Sequence, residues 1–123
     1  GYPMNILFLV TMIIQAIFGL GFTLIPGFML EPFGVTLDPI AKIFVNLFGA
    51  ALLGYLVLLW YARKSNNLDF KKGTVYCHFV YSLIAAVIMV IANVSGLVNA
   101  MGWVIVAKYV VRLVWFGYFI FKK

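Results

Sequence analysis

The chain of 123 residues is 66% hydrophobic and only 10% charged, and its formal net charge is +6. Soluble domains are closer to half apolar and a quarter charged, and a fold of this size has too little interior to hide so much apolar surface. A soluble globular protein is therefore excluded. The basic residues form no long tract, so we expect them to orient the chain in a membrane and to contact lipid headgroups, with no nucleic-acid partner. The single cysteine, Cys77, excludes an internal disulfide and a cysteine cluster for metal.

The first predicted membrane span covers about residues 4–25 and ends at Pro26 and Gly27. Its length matches the roughly 20 apolar residues that cross a bilayer as a helix. No basic stretch and no A-x-A-like site accompany it, which predicts a true span rather than a signal peptide. The following connection, PGFMLEPFGVTLDP (residues 26–39), carries too many apolar side chains for an ordinary polar loop. It predicts a short interfacial segment between the first two membrane helices.

The second predicted span covers about residues 39–62. Asp38 is the expected N-cap of this helix, and Pro39 suits its first helical position. The sequence RKSNNLDFKKG (63–73) follows as the one strongly polar linker of the chain, and it separates the first pair of spans from the second pair.

The third and fourth predicted spans cover about residues 74–94 and 100–121. The short sequence SGLVN (95–99) connects them and predicts a tight turn. Gly96 is the expected C-terminal stop of the third helix, and Asn99 is the expected cap of the fourth. The pattern as a whole predicts an all-α polytopic membrane protein, a single four-transmembrane-helix bundle over residues 1–123.

Loop charges predict how the chain lies in the membrane. The 63–73 linker carries four basic residues against one acid, and Lys122 and Lys123 end the chain, whereas the 26–42 connection carries two acids against one base. Basic residues collect on the cytoplasmic side, so we expect both termini and the 63–73 linker in the cytoplasm, with a bacterial inner membrane as the location. Because four helices enclose little space, we expect a homo-oligomer or a larger membrane complex.

Small and polar residues recur at helical spacing along three of the spans. Such stripes let helices approach closely and form hydrogen bonds across the contact, so most of them are interpreted as packing seams. The stripes are Thr11, Gln15 and Gly19; Asn46, Ala50 and Gly54, with Gly49 adjacent; and His78, Ser82 and Ala86.

Two cations lie in the middle of the fourth span. Lys108 and Arg112 are four residues apart, so they share one helix face, and each costs about 2.5–3.5 kcal/mol at the centre of a membrane helix. No predicted span contains an acid to offset them. Four explanations remain open. An anion binds between the cations, Glu31 or Asp38 folds inward to pair with Lys108, or a partner subunit supplies an acid. In the fourth, Lys108 extends outward or is neutral, and carbonyls and amides such as that of Gln15 satisfy Arg112 alone.

Depth along the spans suggests which residues would accompany the cations. Counting from the helix ends at about 1.5 Å per residue places Gln15 and Arg112 near the bilayer midplane, with Lys108, Asn46 and Asn93 nearer the outer face. We therefore predict these five as ligand-binding residues of one polar cavity. An internal ion-pair or amide network without a ligand is the competing interpretation.

His78 is a weak candidate for a metal or pigment ligand. A single histidine with no second ligand is more typical of a side chain bonded to a backbone carbonyl, so no metal and no cofactor are predicted. The sequence also lacks HExxH, GxSxG and Walker motifs, and no nucleophile–base pair stands out. We therefore expect a non-enzymatic protein.

Two resemblances accompany these patterns. The sequences LIPGFMLEPFGVTLD (24–38) and GLVNAMGW (96–103) resemble those of small bacterial proteins with four transmembrane helices and no assigned activity, which implies the same fold. The second-span sequence FVNLFGAALLGYL (44–56) is similar to that of bacterial fluoride channels, and this local similarity implies a pore-lining role for Asn46. The third span, unbroken over 79–94, departs from the fluoride-channel pattern.

Three functions follow as hypotheses. The leading one is an intramembrane cationic cavity that binds an anionic small molecule or lipid through Lys108 and Arg112. The second is an accessory or self-assembling structural subunit of a membrane complex. The third is a small oligomeric anion channel or transporter.

Overall fold

The computed structural model describes residues 2–122, without the side chain of Tyr2; Lys123, one of the predicted orienting charges, lies outside the described residues. Within that range every regular element is helical, so the predicted all-α class is confirmed. The elements are α1 (Tyr2–Leu24), α2 (Pro26–Leu30), a 3₁₀ turn (Glu31–Phe33), α3 (Pro39–Lys64), α4 (Leu68–Val94) and α5 (Gly102–Phe121). Helices α1, α3, α4 and α5 are each long and apolar enough to cross a membrane. The chain is a membrane protein with four candidate spans.

The chain divides into two compact units, the first ending at Lys64 and the second beginning at Ser65. Each unit is a hairpin of two long helices. In the first hairpin α1 packs against α3, and the short α2 lies at the connection between them. In the second hairpin α4 packs against α5.

Side-chain amides join the two helices of the first hairpin. Gln15 Nε2 donates to the carbonyl oxygen of Leu52 at 2.9 Å, and Asn46 Nδ2 donates to the carbonyl oxygens of Phe22 and Thr23 at 2.9 and 3.0 Å. These pairings run in opposite directions along the two helices, so α1 and α3 are antiparallel. Gln15 is only 3% exposed, and its burial is compatible with a membrane interior because the amide is bonded across the seam.

At Gly49 the backbones of α3 and α1 lie close together. A Cβ atom at this position would lie 2.7 Å from the backbone nitrogen of Thr23 and 2.8 Å from the carbonyl oxygen of Gly19, distances that real Cβ atoms do not adopt. The predicted stripe is confirmed for α1 but wrong in part for α3. Ala50 and Gly54 are exposed, and Gly54 has open space around it, because the helix turns Gly49 rather than these residues toward α1.

The connection between α1 and α3 is short and partly helical. Pro26 occupies the first turn of α2, and the 3₁₀ turn ends at Gly34, whose φ of 74° suits a residue without Cβ. Several apolar side chains here are exposed, among them Phe28 at 70%. The predicted N-cap of α3 is confirmed, since Asp38 Oδ1 accepts a hydrogen bond from the Ala41 backbone nitrogen at 2.7 Å.

Helix α4 begins at Leu68, six residues before the predicted start of the third span. The difference arises because Asn67 caps the helix, its side-chain oxygen accepting from the Phe70 nitrogen at 3.0 Å, and because Asp69 suits the positive end of the helix dipole. The polar sequence predicted as a linker is therefore mostly the first two turns of α4. A helix of 27 residues is about 40 Å long, which exceeds the hydrocarbon thickness and leaves room for polar turns outside it.

The turn between α4 and α5 is a Schellman motif. Gly96 has a φ of 74°, its nitrogen donates to the Asn93 carbonyl at 3.1 Å, and the Leu97 nitrogen donates to the Ala92 carbonyl at 3.0 Å. Asn99 Oδ1 then accepts from the Met101 nitrogen at 3.0 Å, just before α5. The predicted stop at Gly96 is confirmed. The predicted cap at Asn99 is wrong by two residues, because a turn that includes the Asn99–Met101 bond precedes α5 and Met101 occupies the N-cap without a side-chain hydrogen bond.

The two glycines of α3 make a matched test of the first hairpin. We expect Gly49→Ala to lower the free energy of unfolding by about 1–3 kcal/mol, because the added methyl meets backbone atoms of α1 that cannot move aside easily. Gly54→Ala, in open space, should leave stability unchanged or raise it by up to about 1 kcal/mol. Reversible unfolding in mixed detergent micelles, followed by circular dichroism, measures both. Equal effects of the two substitutions on stability would contradict the close packing of α1 and α3 at Gly49.

Candidate functional site

Aromatic contacts fix the register of the second hairpin. The His78 ring stacks on Phe116 with centroids 5.4 Å apart and planes inclined by 17°, and Phe79 meets Phe121 edge to face. Near the other end, Asn93 lies against Gly102, where a Cβ atom would have no room. Positions early in α4 thus lie beside positions late in α5, and the two helices are antiparallel.

Arg112 lies near the middle of α5, ten residues or about 15 Å from the helix start at Gly102. Its side chain is only 7% exposed. The guanidinium carbon is 5.6 Å from the centroid of the Tyr81 ring, a cation–π contact across the hairpin. Within residues 2–122, the guanidinium nitrogens Nε and Nη2 are buried and have no hydrogen-bond partner. Buried donors without acceptors are rare in proteins because their desolvation is not compensated.

Two tyrosines lie beside the cations. The hydroxyl oxygens of Tyr81 and Tyr109 are 2.7 Å apart, and their rings meet edge to face at 5.6 Å. One hydroxyl donates to the other, so the accepting tyrosine retains its own proton for donation to a third group. Lys108 Nζ lies 4.4 Å from the centroid of the Tyr109 ring. Both cations of α5 therefore contact the same tyrosine pair.

Ser82 adds a further buried donor. Its side chain is fully buried, and Oγ has no hydrogen-bond partner in the part of the chain that the structure describes. Ser82 is one turn along α4 from His78, and Arg112 is one turn back along α5 from Phe116. Because His78 stacks on Phe116 and the helices are antiparallel, Ser82 and Arg112 occupy the same level of the hairpin.

The residues that gather here carry hydrogen-bond donors and positive charge, and no carboxylate. We call Tyr81, Ser82, Lys108, Tyr109 and Arg112 the cationic cluster. The only acid on either helix is Asp69, twelve residues before Tyr81 and thus about 18 Å from it along the axis. Chemically, the cationic cluster can stabilise an anion, above all one with two or more oxygen atoms.

The predicted ligand-binding residues fall into three places. Lys108 and Arg112 lie together in the cationic cluster. Asn93 lies near the C-terminal end of α4, twelve residues beyond Tyr81, with Nδ2 bonded to the Met89 carbonyl at 2.8 Å. Gln15 and Asn46 belong to the first hairpin, where their amide nitrogens bond backbone carbonyls.

The predicted acidic partners also belong to the first hairpin. Glu31 begins the 3₁₀ turn and Asp38 caps α3, and both side chains are exposed. Sequence reasoning did not identify Tyr81 and Tyr109 as part of the site. Each tyrosine is adjacent in sequence to another residue of the cationic cluster, Tyr81 to Ser82 and Tyr109 to Lys108. These neighbours indicate a shared site only when it is known which residues of α4 lie beside which residues of α5.

His78 forms the carbonyl bond expected of a structural histidine. Its Nδ1 lies 3.0 Å from the carbonyl oxygen of Thr74, so that nitrogen carries the proton and donates. The ring is 3% exposed and stacks on Phe116. Among residues 2–122 no three histidine, cysteine or acidic side chains come together in a way that would hold a metal ion.

Comparison with known protein families, curated proteins and solved structures finds nothing that matches this chain. The function is therefore inferred from the chemistry of the cationic cluster and from the distribution of charge along the chain.

The hydroxyl contact between the tyrosines can be tested by single-atom deletions. We expect Tyr81→Phe and Tyr109→Phe each to lower the free energy of unfolding by about 1 kcal/mol, because each removes the same hydrogen bond. The double variant should lower the free energy of unfolding by clearly less than the sum of the two single effects, because both substitutions remove the same bond. Tyr76→Phe, at an exposed position of α4, is the control and should have little effect. Full additivity, measured by detergent-mediated unfolding, would contradict the contact.

Proposed function

We propose that this chain is a non-enzymatic integral membrane protein that binds an anionic group, a lipid phosphate or the oxyanion of a small molecule, at the cationic cluster. One observation carries the proposal: Nε and Nη2 of Arg112 are buried and find no acceptor among residues 2–122. A guanidinium in that state is costly, and an anion would supply the missing acceptors.

The identity of the two nitrogens supports an oxyanion in particular. Nε and Nη2 lie along one edge of the planar guanidinium, so one N–H bond of each points in parallel with the other and both can reach one partner. Two oxygens of a carboxylate or phosphate fit this pair in the bidentate arrangement that makes arginine–oxyanion contacts strong. A monatomic anion would accept from the same donors without the geometric match.

The neighbouring side chains would assist such a ligand. Lys108 contributes a second positive charge, and the hydroxyls of Ser82 and the tyrosine pair contribute neutral donors. Burial of Arg112 and Ser82 strengthens each of these interactions because the surroundings are less polar than water. The cation–π contacts place both cations against the tyrosine pair, and Nε and Nη2 of Arg112 are the donors that remain for the ligand.

The orientation and location remain part of the proposal. The basic residues near the α3–α4 connection support cytoplasmic termini in a bacterial inner membrane, with the α4–α5 turn on the opposite side. In this orientation Arg112 would lie near the middle of the bilayer. An anion would then have to reach the cluster from within the membrane, which favours a lipid headgroup drawn inward or a ligand with an apolar portion.

A structural subunit is the second candidate. It is favoured by the continuous apolar surface of α3, where Ile40, Phe44 and Leu47 are all more than half exposed. A second copy or a larger membrane complex could cover this face, and an acid supplied by such a partner would satisfy the cations without a ligand. An oligomeric anion channel would combine the two candidates, because it requires anion binding at the cationic cluster and also the association of several chains.

Native mass spectrometry of the gently purified protein tests the ligand. We expect an anionic species bound to the wild type, and at least about tenfold weaker retention in Arg112→Gln, since hydrogen bonds to a charged group contribute about 1.5–3 kcal/mol. Arg112→Lys keeps the charge but loses the parallel donors, so it should also release most of an oxyanion. Lys108→Gln should weaken retention less.

Lys72→Gln is the matched control, since it removes one exposed cation from the same helix hairpin. It should bind as the wild type does. A bare wild-type protein, together with a more stable Arg112→Met variant, would contradict the ligand and favour the structural subunit. Replacing even a buried ion pair by apolar side chains is often neutral or stabilising by about 1–4 kcal/mol, and a charge without a ligand has no favourable pairing to lose.

Cysteine labelling tests the orientation. In a Cys77→Ala background, Ser95→Cys and Asn66→Cys place single thiols at exposed positions of the α4–α5 turn and of the α3–α4 connection. A membrane-impermeant maleimide added to intact cells should label the first variant and spare the second, because we expect only the α4–α5 turn outside the cytoplasm. The reverse pattern would contradict cytoplasmic termini, and labelling after cell lysis confirms that both thiols are reactive.

A further inference from the structure

A second candidate site lies at the end of the first hairpin, away from any residue of the cationic cluster in the sequence. An open cavity of about 490 Å³ is formed where α1 ends, α2 turns and α3 begins. Its volume is within the range of about 300–1,000 Å³ that is typical of ligand pockets. The lining residues are Leu24, Ile25, Pro26, Gly27, Phe28, Glu31, Val35, Thr36, Leu37 and Lys42.

The lining combines an apolar wall with one charge of each sign. Leu24 and Phe28 are apolar and about 70% exposed, while Glu31 and Lys42 contribute a carboxylate and an ammonium group. No ion pair joins Glu31 or Lys42 to another side chain within the described residues 2–122. The third polar side chain of the lining, Thr36, adds a hydroxyl.

The position of the cavity in the fold indicates which kind of molecule can reach it. Both α1 and α3 are candidate spans, and the cavity lies where α1 ends at Leu24 and α3 begins at Pro39. The ends of membrane spans lie at the level of lipid headgroups. A molecule with an apolar tail and a polar head is therefore the available occupant.

We propose that this cavity binds a zwitterionic phospholipid whose headgroup ends in a primary ammonium, as in phosphatidylethanolamine. The Lys42 ammonium would bind the lipid phosphate, and the Glu31 carboxylate would accept hydrogen bonds from the lipid ammonium. The acyl chains would lie along the apolar wall at Leu24 and Phe28. Opposite charges on the lipid headgroup thus match opposite charges on the protein.

The same lining disfavours the common alternatives. A choline headgroup has no N–H donor for Glu31, and choline is usually recognised by a cage of several aromatic rings, whereas Phe28 is the one aromatic residue among the described lining residues. A phosphatidylglycerol headgroup has a phosphate for Lys42 but no positive charge for Glu31. The backbone at the start of α3 is already capped by Asp38, so the helix terminus does not add a strong anion site.

Competitive lipid binding tests the proposal on the full chain. The protein is exchanged into detergent containing equal amounts of phosphatidylethanolamine, phosphatidylcholine and phosphatidylglycerol with identical acyl chains, and bound lipids are counted by native mass spectrometry. We expect phosphatidylethanolamine to be preferred over each of the others by about fivefold, as a partly exposed pair of charge-assisted bonds would give. Glu31→Gln should abolish the preference for phosphatidylethanolamine over phosphatidylcholine, and Lys42→Gln should weaken the binding of all three lipids.

Asp69→Asn and Lys72→Gln are the matched controls, since they neutralise an exposed acid and an exposed base of α4. Both should keep the preference, and so should Arg112→Gln, which separates this site from the cationic cluster. Equal binding of the three lipids by the wild type would overturn the proposal. So would a preference for phosphatidylethanolamine that survives Glu31→Gln in a variant with unchanged helicity.

Discussion

In a lipid environment a polar group must find its partner within the protein, because no water is present to replace it. The described hydrogen bonds follow this constraint closely. The amides of Gln15 and Asn46, the imidazole of His78 and the hydroxyls of Tyr81 and Tyr109 all meet a carbonyl or one another. Arg112 departs from it, since two of its nitrogens are buried with no acceptor in the part of the chain that the structure describes. Ser82 Oγ, at the same level of the hairpin, is also buried without a partner among the described residues, and the proposed anion would satisfy both groups.

The two hairpins use their polar residues differently. In the first, the amides of Gln15 and Asn46 and the glycines at positions 19 and 49 bring two apolar helices together, so polarity serves packing. In the second, the aromatic rings of His78 and Phe116 set the register, and the donors of the cationic cluster remain in excess over acceptors. A stripe of small and polar residues therefore does not by itself indicate a ligand. The two hairpins differ in the balance between hydrogen-bond donors and acceptors among their buried polar residues.

Much of the fold is predictable because it depends on local rules. Span length identified the four long helices, and cap chemistry identified Asp38 and Gly96 correctly. Asn99 was predicted to cap α5, but it bonds within the turn before the helix, whose N-cap is Met101. The start of α4 was predicted six residues too late, since polar composition was interpreted as a loop although Asn67 caps a helix there. The site was predictable only in part. Lys108 and Arg112 are conspicuous in an apolar sequence, whereas the contribution of Tyr81 depends on the pairing of α4 with α5, and no local rule specifies that register.

The turn between α4 and α5 also constrains how this chain can change length. Loops usually tolerate insertions, but here Asn93 fills the space beside Gly102, and the Schellman motif fixes the path of the chain into α5. One residue inserted between Gly102 and Arg112 would rotate the rest of α5 by about 100° and carry the guanidinium away from Tyr81. Length variation among homologues should therefore concentrate in the α1–α3 connection, while the number of residues from Gly96 to Arg112 stays constant.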